Sequence, residues 1–232
     1  MRFSNRECGE YLIQRGVTRL VHITKFECLP KVLKVGLLPV AANGRANKLH
    51  LSIQYPNVPL FEKKLSTGHL AVLVSPSLAS REDARFTQST SVDPREPPFT
   101  GIFGIKSLFD EGIFVPSASI GKLVRHANSP TNMPTSLMAE VIFRKGILPN
   151  EIIGLVFPNL KSKIRYESLY ECIAQNVCWK TDEELSKEDK LFSFWRDVCD
   201  DVEARGWIHQ FVDHKRVDQE KKATKALGRL TK

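Results

Sequence analysis

Met133-Pro-Thr-Ser-Leu-Met-Ala-Glu-Val-Ile-Phe143 is the stretch on which the fold of this chain turns. A polar loop punctuated by proline, from His126 to Ser136, runs into a short apolar segment, Ala139 to Phe143, with the composition of a strand. One carboxylate, Glu140, interrupts that apolar run. Two readings fit it. A strand with one solvated face carries an acid at alternate positions as a matter of course. A lone acid just inside a strand, at the end of a long loop, is also how a fold presents a catalytic carboxylate at the rim of a cleft. The segments around the stretch have to separate the two.

Upstream, residues 1–17 fit a short lead-in helix, and Thr18 to Ile23 reads as a strand. Phe26, Leu29, Val32 and Leu33 then recur at helical spacing, with Gly36 where a C-terminal cap belongs. Leu49 to Tyr55 alternates like a half-buried strand closed by Pro56-Asn57, and His69 to Val74 is a near-continuous apolar run, hence a buried strand, ended by Pro76. Asp93 to Pro98 holds three prolines in six positions and must be loop, since each proline removes a backbone donor. Gly104 to Phe109 fits a short helix. Between Gly112 and Ser136, Pro116, Pro130 and Pro134 stand among small polar residues, which predicts a long loop of the kind that serves as a lid or binding loop. Downstream, Ile152 to Phe157 is a second strand after Ala139 to Phe143, with Gly146 and Pro149 between them.

The last third changes character. Ile164 to Trp179 and Lys187 to Ala204 both carry helical apolar stripes, and Trp207 to Val212 fits one more strand. Trp179, Phe192, Phe194, Trp195 and Trp207 are read as core anchors rather than platforms for stacked bases.

At 232 residues, with 42% hydrophobic and 26% charged residues, the chain has the composition of a globular domain large enough for a real core. No apolar run approaches the roughly 18 residues of a membrane span, and Met1-Arg-Phe-Ser-Asn-Arg-Glu7 lacks the apolar region of a signal peptide. A cytoplasmic protein with no membrane partner is expected. Five cysteines, Cys8, Cys28, Cys172, Cys178 and Cys199, are odd in number and lack CxxC spacing, which argues against a disulfide framework and a zinc site. The net charge of +8 favours polyanionic partners. Seven Lys/Arg against two Asp/Glu between His214 and Lys232 place most of that excess in the tail, either a solvated end or a nucleic-acid arm.

Common catalytic signatures are missing: no Walker P-loop, no GxGxxG after a strand, no GxSxG and no HExxH. Two features remain besides Glu140. His22 ends the first strand, where a histidine is either packed and hydrogen-bonded or able, with Thr24, to offer a ring nitrogen and a hydroxyl to a sugar. The Tyr55-Pro-Asn57 turn can aim an amide and an aromatic ring into the same cleft.

In order along the chain these features are familiar. Val21-His-Ile-Thr-Lys-Phe-Glu-Cys-Leu-Pro-Lys-Val-Leu-Lys-Val-Gly-Leu-Leu38 resembles the opening of the DarT family of DNA ADP-ribosyltransferase toxins. Leu51-Ser-Ile-Gln-Tyr-Pro-Asn-Val-Pro-Leu-Phe61 looks like the second block of that family, and His69-Leu-Ala-Val-Leu-Val-Ser-Pro-Ser-Leu78 with Asp83-Ala-Arg-Phe-Thr87 like its third. Pro134-Thr-Ser-Leu-Met-Ala-Glu-Val-Ile-Phe143, followed by Leu148-Pro-Asn-Glu-Ile-Ile153, is similar to its Gln-Ala-Glu-Val block and the Ile-Pro sequel. The resemblance covers about residues 18–160, with all four blocks in order.

The resemblance implies an α+β fold: the split, mostly antiparallel β core of ADP-ribosyltransferases, surrounded by helices and followed by a helical C-terminal part. It implies a core over residues 1–160, a helical extension over 161–213 and a basic tail over 214–232. NAD would be the substrate, with no metal. His22, Ile23, Thr24 and Phe61 would hold it, the backbone near Ile23 facing the nicotinamide amide, and Glu140 would be the catalytic acid. Pro56-Asn57-Val58-Pro59 puts Asn57 where many members carry a base-activating arginine, as in a subgroup that reads Pro-Asn. Asn57 is therefore the second catalytic candidate, although it supplies no positive charge. The acceptor implied is a base of single-stranded DNA, with RNA or a protein side chain as alternatives; a nucleic-acid-binding module without catalysis is the third reading. A toxin of this kind implies a macrodomain antitoxin as partner.

Overall fold

The computed structural model describes residues 4–39, 48–54, 68–88, 99–110, 112–115, 121–124, 130–135, 139–170 and 176–188. Asn57, Phe61, the Asp93–Pro98 loop, the stripe beyond Glu188, the Trp207–Val212 strand and the basic tail lie outside the described residues.

Seven strands form one sheet in the order β4-β7-β2-β1-β3-β8-β9. They are β1 (Leu20–Lys25), β2 (Leu49–Ile53), β3 (His69–Val74), β4 (Arg85–Thr87), β7 (Glu140–Phe143), β8 (Ile152–Phe157) and β9 (Cys178–Thr181). All neighbours are antiparallel except β8 and β9. The apolar runs of the sequence explain the middle of the sheet. β3 and β8 are buried at nearly every position, as strands covered on both faces are, whereas β2 alternates buried and half-buried residues.

Alternate residues build the core on one face: Leu51, Val72, Phe86, Val141, Phe143, Leu155 and Phe157 are all essentially inaccessible. Three short helices add to the same core: α1 (Cys8–Gln14) through Cys8 and Leu12, α2 (Leu29–Val35) through Leu29, Val32 and Leu33, and α3 (Gly101–Ser107) through Ile105. Each fully buried leucine or phenylalanine contributes about 1.5–3 kcal/mol relative to exposure, so this face carries most of the stability. Gly36 caps α2 with φ 84°, a left-handed conformation, and the space beside its Cα is taken by the backbone carbonyl of Ile147; both make glycine the residue for that position.

Helix α4 (Leu160–Tyr170) and β9 dock through aromatic rings. Phe157 stacks on Trp179 with centroids 5.6 Å apart and on Tyr166 at 5.9 Å, and Tyr166 meets Phe26 at 5.2 Å. A last helix, α5, spans Asp182–Glu188.

Two expectations need correction. A single helix over Ile164–Trp179 is not what forms: α4 ends at Tyr170 and Trp179 lies in β9, buried as a core anchor should be. Pairing of β9 with β8 satisfies its backbone through a partner distant in sequence, which no local spacing announces. The loop between Gly112 and Ser136 is also not without structure, because β5 (Gly112–Val115) and β6 (Gly121–Val124) pair as a separate antiparallel ribbon. Strand β4, which the sequence did not announce, adds an edge next to β7.

Candidate active site

The sheet is continuous in hydrogen bonding but opens along one seam. Strand β1 pairs with β3 at all six of its residues, from Leu20↔Val74 to Lys25↔His69. With β2 it pairs at two positions only, Leu20↔Ile53 and Val21↔Ser52. Beyond Val21 the two strands part, so His22, Ile23 and Thr24 line the opening and are half-buried.

Gln54 follows β2 at the end where the two strands are still paired. It is the one non-glycine with positive φ, 63°, among the described residues. Its backbone N–H donates to Arg19 O at 3.0 Å, Thr18 N–H donates to its Oε1 at 2.7 Å, and Arg19 Nε donates to its carbonyl at 3.0 Å. A left-handed residue held on several sides is a strained turn that the surroundings enforce.

Glu140 opens β7 on the far side of the seam. It lies directly opposite Ser52 of β2 and Thr87 of β4, and directly opposed residues share a face. His50 stands two residues before Ser52 on β2, so the pleat turns it to that same face, diagonal to Glu140. The contact follows: His50 Nδ1 lies 2.8 Å from Glu140 Oε2. A carboxylate only accepts, so Nδ1 carries the hydrogen in this arrangement. The Glu140 side chain is 13% exposed and that of His50 34%, so the pair is partly open to solvent.

His22 reaches the same place across the seam. Its Nδ1 lies 2.9 Å from the carbonyl oxygen of His50. A carbonyl cannot donate, so His22 is also protonated at Nδ1, which makes Nε2 of the neutral ring an acceptor. The hydrogen bond spans the segment where the β1–β2 ladder has stopped. By register, His22 and Thr24 share the face of Val72 and Leu70, whereas Val21 and Ile23 share that of Ser52 and Glu140. The structure links His22 to Glu140 through His50, which meets the one by its backbone carbonyl and the other by its ring; Ile23 and Thr24 follow His22 along β1, and no hydrogen bond joins the three directly to Glu140 among the described residues. Asn57 and Phe61 fall outside the described residues.

Sequence reasoning passed over His50. The signal was present in Leu49-His-Leu-Ser-Ile53, whose even positions are polar, but a polar face on an alternating strand is ordinary. Only the pairing of Ser52 with Glu140 shows that this face belongs to the acid.

β7 itself is pinned behind the site. Arg81 donates to Asp83 through Nε at 2.9 Å and Nη2 at 3.1 Å, and Asp83 Oδ2 accepts from the backbone N–H groups of Arg144 at 3.1 Å and Lys145 at 2.8 Å. Arg81 also donates to Gly146 O at 2.9 Å and covers the Phe143 ring. Burial pushes the Asp83 carboxyl up, but the Arg81 hydrogen bond, the two amides and the guanidinium charge outweigh it and hold the pKa below the ordinary 3.8. The turn after the strand that carries Glu140 is therefore fixed by a charged clamp.

A groove of about 750 Å³ opens at the β4 edge, between Ser4, Asn5, Arg6, Ser80, Glu82 and Arg85. None of its lining residues belongs to the His22–His50–Glu140 set. Among the described residues, no group of three or more His, Cys, Asp or Glu is placed to hold a metal ion. No helix among them is long and apolar enough to cross a membrane.

The sequence matches no protein-family profile and no curated protein. Solved structures do match. DarT of Thermus sp. 2.9 in complex with NAD+ superposes with a TM-score of 0.50 at 14% identity, over 71% of this chain and 94% of that one. The same protein with ADP-ribosylated ssDNA gives 0.46 at 12% identity, over 77% and 97%. Thermosipho africanus DarTG in complex with ADP-ribose gives 0.49 at 13% identity, over 71% of this chain but only 50% of that one, so the present chain spans half of the DarTG chain. At such identity the likeness to the Thermus DarT–NAD+ structure establishes a shared fold. The α+β architecture expected from the sequence resemblance is the one observed, a mostly antiparallel sheet with helices around it.

Proposed function

We propose that this chain is an NAD-dependent ADP-ribosyltransferase that releases nicotinamide and moves ADP-ribose to a base of single-stranded DNA. The observation that carries the reading is Glu140, held by His50 on β7, next to the strand that diverges from β1, in a sheet of the DarT fold. The Thermus protein that shares this fold was solved with NAD+ bound.

The chemistry suits the geometry. Breaking the bond between nicotinamide and ribose passes through an oxocarbenium-like state, which an anion at the ribose stabilises. His50 occupies Oε2 of Glu140, leaving Oε1 to accept from a ribose hydroxyl or from the attacking nucleophile. His22, its tautomer set by the carbonyl of His50, and Thr24 offer a ring nitrogen and a hydroxyl to NAD from the other side of the opening. Ile23 contributes through its backbone, Phe61 completes the NAD contacts, and Asn57 acts on the acceptor.

A base in a duplex is shielded, so a single-stranded target is favoured, and the net charge of +8 suits a phosphate backbone. In this reading residues 1–160 are the transferase core, 161–213 a helical extension and 214–232 a basic arm for the nucleic acid. The protein is a toxin of a toxin–antitoxin or phage-defence system, working in the cytoplasm, and a macrodomain that removes the modification is its antitoxin. RNA is the second acceptor, and a protein side chain the third.

Mass spectrometry of single-stranded oligonucleotides of each base composition, incubated with the protein and NAD, tests this. One ADP-ribose added to DNA of one base is the expected result. Addition to RNA alone moves the assignment to RNA. Addition to neither, with labelled NAD marking only lysate protein, replaces the acceptor; binding of oligonucleotides without any turnover of NAD leaves a binding module.

A further inference from the structure

We infer that His50 is a positioning residue for Glu140, holding its carboxylate in place for the proposed transfer; the inference deepens that reading and rests on it. Three observations converge. His50 Nδ1 meets Glu140 Oε2 at 2.8 Å. The Glu140 side chain is 13% exposed, so water supplies little of what an ionised carboxyl needs, and the imidazole N–H supplies it instead. His50 is itself anchored: it lies on β2 directly opposite buried Ile142 of β7, and its carbonyl accepts from His22 across the seam.

The consequence is a choice of oxygen. With Oε2 bound by His50, a single lone-pair side of the carboxylate is turned to the reaction, and Oε1 becomes the working atom. A carboxylate without His50 would rotate about its last torsions, and each wrong rotamer removes the anion from the developing positive charge. No proton moves in this role. His50 also ties the two walls of the opening together, since its ring fixes the acid on β7 and its backbone fixes His22 on β1. A change at either wall is transmitted through one residue.

The experiment compares steady-state nicotinamide release by the full chain with its His50→Leu and His50→Asn variants. In asparagine the side-chain amide nitrogen is attached to Cγ, as Nδ1 is in histidine, so an N–H is offered at nearly the same place. His50→Leu should lower kcat about 10- to 100-fold while KM for NAD moves less than about threefold. His50→Asn should restore most of the lost kcat. A His50→Leu variant within about twofold of wild type in kcat, or an Asn variant no better than Leu, overturns the inference.

A second measurement does not depend on turnover. Long-range nitrogen–proton spectra of histidine-labelled protein should show His50 protonated at Nδ1 in the wild type and shifted from that form in Glu140→Ala. Identical His50 signals in both would overturn the inference, even for a fully active enzyme. If the wild type releases no nicotinamide with any acceptor, the proposed reaction fails, and these spectra alone decide whether His50 holds Glu140.

Discussion

The two sides of the seam are built on different rules. On one side β1, β3, β8 and β9 pair along their length with one register shift, at Leu73/Val74 between β3 and β8, and β3 and β8 bury five residues of six. Apart from His69 at one end, neither of those strands carries a titratable side chain. On the other side β2, β7 and β4 present His50, Glu140 and Arg85 on one face while Leu51, Val141 and Phe86 pack the core from the other. A strand buried on both faces has no room for chemistry, because an unpaired charge there costs several kcal/mol, roughly as much as a whole domain can spare. At the open end of a strand an acid needs only a single partner: Glu140 is the half-buried first residue of β7, ahead of buried Val141, Ile142 and Phe143. The division predicts that substitutions on the two sides fail differently.

The largest expected effect tests the reactive side. Glu140→Ala should reduce nicotinamide release at least about 10³-fold, some 4 kcal/mol of transition-state stabilisation, with little change in thermal midpoint. An active Glu140→Ala enzyme would return the acid to the role of an ordinary solvent-face residue and sink the assignment. The packed side should respond in the opposite sense. Phe157 is inaccessible and stacks on Trp179, Tyr166 and Phe26. Phe157→Ala should cost about 3–5 kcal/mol in urea unfolding while the folded fraction keeps its kcat. Loss of kcat without loss of stability would show that the two sides are not separate in role.

A smaller effect is expected at the seam itself. His22 donates to the carbonyl of His50, and its other ring nitrogen is assigned to NAD in the proposed function. His22→Leu should raise KM for NAD about tenfold, or 1.4 kcal/mol, with a lesser change in kcat. Equal losses in kcat and kcat/KM would move His22 from substrate holding to the transition state.

What the sequence disclosed follows strand length and pattern and not the side of the seam. β2, β3 and β8 were visible because five or six residues of contrast suffice to fix a period, and four-residue β7 because its apolar run continues from Ala139 and follows a proline-rich loop. Four-residue β9 and the β5–β6 ribbon were not, since so few positions define no period and their pairing partners are set by the fold. In the candidate site, Glu140 was conspicuous as an acid in an apolar run, and His22 and Thr24 were singled out as candidates through the order of the blocks. His50 was invisible for a physical reason. Its partner lies 90 residues away, and only the β2–β7 register brings them to 2.8 Å. Histidine on an alternating strand is normal; histidine diagonal to a strand-opening acid is not, and that relation exists only in three dimensions.

The smallest effect concerns the clamp that ties the two sides. The turn from β7 to β8 crosses from one to the other, and Asp83 holds it through the amides of Arg144 and Lys145 with Arg81 as counter-charge. Folding lowers the pKa of Asp83 below its ordinary 3.8. A lowered value means that the folded chain gives up this proton more readily than the unfolded chain, so the clamp stabilises wherever the unfolded carboxyl is ionised. Its contribution is complete above about pH 5, declines as pH falls through about 4 and toward the lowered folded value, and is absent below that. Asp83→Asn keeps the shape, loses the charge, and offers Arg81 an amide in place of a carboxylate. The variant should be less stable than wild type at pH 7 by about 1–3 kcal/mol. Urea midpoints of the two proteins should then converge as the buffer is taken from pH 6 to pH 2. A gap that stays constant over that range would mean that the clamp acts through packing of Arg81 on Phe143 and not through the ionised carboxyl, and the acid sensitivity of the β7–β8 turn would have to be sought at Glu151, which lies 3.9 Å from Arg81.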